Sequence, residues 1–450
     1  MLERHIVMPR QMQGAQTLPS TWQVSPIPGA GRFEVGLLLL TVVELLLAGS
    51  GRPIEMGPVT ARMVLFGAAL LYGYVSLARK ELHLSADLVL GVICAAGALA
   101  VGTIVGFLNS NGRDFIFLDL RYYAYFLSLP FFLVTVRSTK VIRLLRRLIK
   151  WCAVTLAIAY GAVQLLIMSG MLSADALRAF ADNTADFTPR AAPEVSSVLP
   201  FDFQVFFYSA FVFLGIGVIF YVRDKSLLSK CISVFILFML FCTLTRGFVV
   251  GLGGVVLVYV ALNRRAALRN ALLVLSMLAL VTASLAISTD AGRELSDTLR
   301  MRTITAVFDR LTPETLLWGH GFGASVPADA RNAAELKKSR YFQDEIRYLH
   351  LENSYVEILD KQGLVGLSFY AAVLIVIIRQ FVRLRNSPHR VLAEQFFLGT
   401  IYIYLVSLFN PYITNSIGMG FVCVSIAALA ALQADVRRMP SGGEFRIQCA

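Results

Sequence analysis

About twelve apolar segments recur along this chain, and most are long enough to cross a bilayer as helices. A hydrocarbon core of ~30 Å takes ~20 helical residues. The segments run near Phe33–Gly49, Thr60–Ala78, Ala86–Leu108, Phe115–Val136, Leu148–Met168 and Phe203–Val222. They continue at Cys231–Thr245, Phe248–Leu262, Ala271–Ser288, Leu364–Phe381, Leu392–Asn410 and Ile413–Gln433. Little chain is left for a separate soluble domain. Composition agrees, with 57% hydrophobic residues, 16% charged and a mean hydropathy of +0.67, where soluble domains average about 25% charged. A bilayer admits only helices or closed barrels, and these segments are too long for barrel strands. The expected fold is an all-α polytopic membrane protein of about 12 transmembrane helices.

Residues 1–32 carry Pro, Gln and Ser without an apolar core and read as a cytoplasmic tail. Residues 33–433 form the single transmembrane domain, and 434–450 a second cytoplasmic tail. Basic residues set the orientation. One set of alternate loops holds Arg79 and Lys80, the run from Arg137 to Lys150, Arg223 to Lys230, Arg264 to Arg269, and Arg379 to Arg390. These fall on the cytoplasmic side if both ends are inside. The net charge of +12 is then mostly topology and leaves little for nucleic acid to explain. The six cysteines lie within spans or at the C-terminus, so neither a disulfide framework nor a zinc site is indicated. Two outside loops are long, at about 169–202 and 289–352. The second, before the tenth span, is expected to fold over the bundle.

The chemistry-bearing residues sit on the outer side. The stretch HLENSYVEILDKQGLVG, from His350 to Gly366, packs imidazole, carboxylate and amide groups just before the tenth span. A helix starting at His350 puts Asn353, Ser354, Glu357 and Lys361 on one face, with Glu352 opposite beside Tyr355. A start one or two residues later leaves Glu352 at the helix mouth, as a cap or a base. Arg246 lies in TLTRGFVVGLGG, between two apolar segments. It reads either as a snorkelling cation in a tight turn or as a phosphate ligand, since the planar guanidinium can bond two oxygens at once. Arg121, near the outer end of its span with Asp119 two residues away, reads as an internal ion pair or a substrate contact. Arg302 opens an amphipathic stretch ending in GHGFG, Gly319 to Gly323. Those glycines permit a tight turn and close backbone approach, but the context is not that of a dinucleotide or P-loop site. His320 and His350 are the two histidines expected to face outward. His320, inside the glycine turn, reads more readily as structural than His350 does.

Together these features resemble the O-antigen ligase and O-antigen polymerase superfamily of bacterial envelopes. The shared marks are the Arg246–Gly247 break, the Arg302 stretch leading to GHGFG, and ENSYVEILDKQGLVG opening the next span. The resemblance implies a membrane glycosyltransferase of the C-type, multi-pass in the bacterial inner membrane, with its active face periplasmic. The donor would be a glycan on undecaprenyl pyrophosphate. A polymerase passes it to another lipid-linked repeat unit, a ligase to a lipid A-core sugar. Membrane lipids surround such an enzyme, and a chain-length regulator protein is a further candidate partner. No cofactor, metal or nucleotide sugar is implied. Carried onto this chain, Arg246 and Arg302 would bind the pyrophosphate, with Arg121 as a further candidate. His350 or Glu352 would be the catalytic base, and Asn353, Tyr355, Glu357, His320 and Gly321 would contact substrate. In one respect the chain departs from the family. The His that commonly precedes Asn is here Glu352, with the nearest His displaced to His350, and this favours polymerase over ligase.

An acceptor hydroxyl attacking the anomeric carbon must lose its proton, and a reference imidazole at about 6.5 is better poised for this than a Glu at about 4.3. Pyrophosphate leaves readily if cations meet its developing charge, and a single displacement inverts the anomeric centre. A transporter of lipid-linked glycans is the reading from another class. It would favour repeated halves and ionisable residues near the membrane middle. Glu44 is the one acidic residue well inside a span, and the polar motifs concentrate asymmetrically in the outer loops, which favours an enzyme.

Overall fold

The computed structural model describes residues 31–49, 55–56, 59–79, 86–173, 187–190, 205–243, 245–262, 291–327, 347–348 and 351–439. Among these, six helices are long and apolar enough to cross a membrane: Ala61–Ala78, Ala86–Leu108, Arg113–Thr135, Thr139–Met168, Ser354–Leu384 and Ser416–Arg438. Shorter apolar helices cover Ser209–Val222, Leu227–Cys242 and Arg246–Leu262. The expected span Ala271–Ser288 and the histidine His350 lie outside the described residues.

In chain order the helices are α1 (Arg32–Leu47), α2 (Ala61–Ala78), α3 (Ala86–Leu108), α4 (Arg113–Tyr123), α5 (Leu129–Thr135), α6 (Thr139–Met168) and α7 (Val212–Val222). They continue with α8 (Leu227–Cys242), α9 (Arg246–Leu262), α10 (Ala291–Asp309), α11 (Pro313–Trp318), α12 (Ser354–Leu384), α13 (Arg390–Val406) and α14 (Ser416–Arg438). Helix α14 is the most enclosed of the candidate spans and packs against α12, α13 and α5. Its start is dictated by Asn415, whose Oδ1 accepts from the backbone N–H groups of Ile417 (3.0 Å) and Gly418 (3.1 Å). The fourth span is broken by a 3₁₀ turn at Ala124–Ser128 and restarts with Pro130 in the first turn of α5. Proline fits there because its missing N–H would have no helical partner.

One expectation is corrected. The segment Phe203–Val222 is not helical throughout: Val205–Tyr208 is a strand pairing antiparallel with Phe187–Arg190, and helix begins only after it. A run of Val, Phe and Tyr suits a strand as well as a span, and the preceding loop supplies its partner. Two shorter ladders join Glu55–Met56 to Val59–Thr60 and Val326–Pro327 to Arg347–Tyr348. Among the described residues the fold is otherwise helical.

The helix ends sort into two sets. At the basic end, Asp224 pairs with Arg146 and Lys150, Glu394 with Arg223 and Arg390, and Asp87 with Arg383. Asp435 there accepts from Thr139 Oγ1 at 2.6 Å and lies 2.9 Å from His389 Nε2. At the opposite end, Tyr208 Oη donates to the Leu47 carbonyl (2.6 Å) and Tyr412 Oη to that of Ser209 (2.9 Å). Glu44, read from the sequence as the one acidic residue well inside a span, is paired with Arg62 at 3.0 Å. Arg62 also donates to Ser416 Oγ at 2.7 Å.

Candidate active site

The candidate residues gather at the end opposite the basic one, where α12 begins. The helix starts at Ser354, later than either register weighed from the sequence, and its cap is Asn353 rather than Glu352. Asn353 Oδ1 accepts from the N–H groups of Tyr355 (2.9 Å) and Val356 (3.2 Å), while Nδ2 donates to the Leu408 carbonyl (2.9 Å). The Ser354 N–H donates to the Ser407 carbonyl (3.0 Å), and Ser354 Oγ reaches the Asn410 carbonyl (3.3 Å). Asn353 therefore anchors the helix mouth to the turn between α13 and α14. Tyr355 is likewise engaged, donating to the Tyr404 carbonyl at 2.7 Å.

The same turn receives the Arg–Gly break. Arg246 is the first residue of α9 and half-buried. At Gly247 a Cβ would lie 2.8 Å from both Asn410 Nδ2 and Phe409 Cβ, so the break needs glycine to approach this closely. The start of α9 and the mouth of α12 thus meet through residues 408–410.

Helix α10 closes the site from another side. Val307 is buried with Leu351 and Val326, and Ala306 and Val356 pack around them. Two turns up the same face, Arg300 pairs with Glu352. Glu352 is exposed, one residue outside the helix. Arg302 falls on the exposed face of α10. Arg300 was not singled out from the sequence, although the α10 periodicity carried the signal: positions 300, 303, 304 and 307 share a face.

The glycine turn is a wedge. Gly319, Gly321 and Gly323 all have positive φ (77°, 82° and 79°), a region that side chains other than glycine enter rarely. A Cβ on Gly321 would lie 2.1 Å from the backbone nitrogen of Gly106, and one on Gly319 2.4 Å from that of Gln362. The turn is held from both sides: the N–H groups of His320 and Gly321 donate to the carbonyls of Asp360 (2.7 Å) and Lys361 (3.0 Å), and that of Phe322 to Gly102 (2.7 Å). Asn109 and Asn111 cap the His320 carbonyl (3.1 and 2.9 Å). His320 Nδ1 lies 3.2 Å from Asp360 Oδ1, and Arg310 grips the same carboxylate while donating to the Ser325 carbonyl (2.7 Å).

Beneath the wedge is a buried charge cluster. Lys361 Nζ lies 2.6 Å from Asp119 Oδ1 and 3.1 Å from Glu357 Oε1, with all three side chains at most 1% exposed. Asp119 Oδ2 accepts the Gly323 N–H (2.7 Å), and Glu357 Oε2 accepts from Thr414 Oγ1 (3.2 Å). Glu357 is thus part of a cross-brace linking α12, α4 and the loop before α14. Asp119 is engaged by Lys361, while Arg121 is exposed on α4. Residues two apart on a helix point to different sides. Beside the wedge lies a cavity of about 510 Å³ between α3 and α11, lined in part by Val105, Leu108, Asn109, Glu314 and Trp318.

The sequence candidates thus divide. Glu352 and Asn353 stand at the mouth of α12, Arg246 begins α9 beside the turn that Asn353 bonds, and Arg302 lies on α10. His320, Gly321 and Glu357 belong to the wedge and brace one to two turns further along α12, and Arg121 stands apart on α4. Asp360, Arg310 and the Lys361–Asp119 pair were not identified, because their partners are far away in sequence. No curated protein matches the chain. Residues 231–371, running from α8 through the arginine break, the wedge and the mouth of α12, match the family model described as O-antigen ligase, which is consistent with the resemblance of the chain to the O-antigen ligase and polymerase superfamily.

Proposed function

We propose that this protein is a polysaccharide polymerase that transfers a glycan from undecaprenyl pyrophosphate to a lipid-linked repeat unit at the periplasmic face of the bacterial inner membrane. The observation that carries the reading is the exposed Glu352 carboxylate at the capped mouth of α12, inside the family-matched stretch and paired with an arginine of α10. The acceptor oxygen attacks the anomeric carbon, and the bond from that carbon to the pyrophosphate oxygen breaks, the electron pair leaving with the pyrophosphate. Arg246 and Arg302 meet the charge that develops there. The acceptor proton passes to Glu352 or to His350. One displacement inverts the anomeric centre, and guanidinium groups rather than a metal carry the electrostatics. Asn353 places the base by fixing where the helix begins. The basic end then faces the cytoplasm, in keeping with the positive-inside rule.

Deleting the gene in its host and resolving surface and lipid-linked glycans on a gel tests this. Single repeat units in place of long chains are the expected result. Full-length chains that remain on undecaprenyl pyrophosphate and never reach lipid A-core would make the protein a ligase. Unchanged glycans would overturn both and favour transport.

A further inference from the structure

The amphipathic face of α10 decides which guanidinium meets the mouth of α12. At about 100° per residue, Arg300, Thr303, Ile304 and Val307 share one side, and Val307 is buried against Leu351. Arg300 is thereby delivered to the neighbour of Leu351, Glu352, and its Nε donates to Glu352 Oε2. Arg302 lies about 200° around the helix from Arg300 and is exposed. The carboxylate at the site is therefore paired with Arg300, not with Arg302.

We propose that Arg300 is shared between Glu352 and the pyrophosphate of the donor. The free protein holds the carboxylate on Arg300, and the incoming pyrophosphate takes the guanidinium over, leaving the carboxylate to the acceptor hydroxyl. This rests on the glycosyl-transfer reading above and adds an order to it, donor before acceptor.

Two features suit the pair to exchange. Its side chains are 34% and 56% exposed, and ion pairs so open to water contribute little net stability. The Lys361 cluster, at most 1% exposed, is the opposite case: its charges cannot part without being stranded in the interior. Pyrophosphate also carries more charge than a carboxylate and offers several oxygens to the planar fork, so it is the stronger partner for arginine. The base is thus released only when a leaving group is in place.

A double-mutant cycle on the full-length protein in nanodiscs tests this, with inorganic pyrophosphate as the titrant. Glu352→Gln removes the competitor and should tighten pyrophosphate binding about two- to fivefold. Arg300→Gln should weaken it about tenfold or more. In the Arg300→Gln background, adding Glu352→Gln should change nothing, because the guanidinium that Glu352 holds is already gone. Arg300→Lys keeps the charge without the fork and should fall between wild type and Arg300→Gln. Equal tightening by Glu352→Gln in both backgrounds would reveal general repulsion and overturn the sharing, as would unaltered affinity in Arg300→Gln. Binding without coupling defeats this inference alone. A wild-type protein that binds no pyrophosphate defeats the donor reading with it. Unaltered melting of the variants confirms that the fold is intact.

Discussion

Lys361 is the residue whose environment departs most from what its chemistry prefers. A fully buried ammonium is tolerated only with opposite charges in contact, and Asp119 and Glu357 supply them. Removing one member of such a cluster strands the others, which typically costs about 3–5 kcal/mol. Lys361→Met should therefore lower the melting temperature sharply and loosen the glycine turn, which Asp119 holds through the Gly323 N–H. Melting in detergent checks this, and a variant as stable as wild type would show that the carboxylates find other partners. Lys361 stood in the sequence on one face with Asn353 and Glu357, and that register holds from Asn353 onward. Its distant partner Asp119 was instead weighed against Arg121. Local periodicity finds partners four residues apart; it cannot find one on another helix.

The glycine turn and α12 show how elements set the site. Helix α12 runs as one element in sequence but breaks at Gly363 (φ 63°), where Leu317 of α11 packs against the backbone. The span expected from Leu364 therefore begins where the kink ends, while the preceding two turns form the platform at the helix mouth. The sequence pattern showed the apolar run and the glycines, because bilayer length and backbone freedom are local properties. The strand at Val205–Tyr208 escaped, because only its pairing partner distinguishes it from a span. Gly321→Ala should be severe, since a Cβ would lie 2.1 Å from the Gly106 nitrogen at a φ of 82°. The strained backbone costs about 1–2 kcal/mol before the clash is counted. Gly253→Ala in α9, where nothing lies within 4 Å, should be neutral or slightly stabilising. Glycan transfer and melting of the two variants, side by side, separate a tight wedge from a general need for glycine.

Across the whole molecule, charge is organised by end. Loop composition predicted this division, because basic residues recur in alternate loops; the pairs themselves, such as Arg223 with Glu394, join helices far apart in sequence. Asp224 is the member of the basic end that sits between helices, held by Arg146 and Lys150 of α6 and by Ser229 of α8. Burial alone would raise its carboxyl, but the hydrogen bond from Lys150 and the charges of Arg146 and Lys150 together hold it below the usual carboxylate range. A carboxyl so lowered adds stability at pH above its unfolded value, about 3.9 for Asp. That contribution is lost as the pH falls through the lower folded value. Asp224→Asn should accordingly destabilise the protein by about 1–2 kcal/mol at neutral pH, and the deficit should shrink as the pH drops below about 4. Melting of both proteins across this range isolates Asp224, since every other titrating group is common to the two. A deficit constant with pH would mean that packing, rather than charge, ties α6 to the loop before α8.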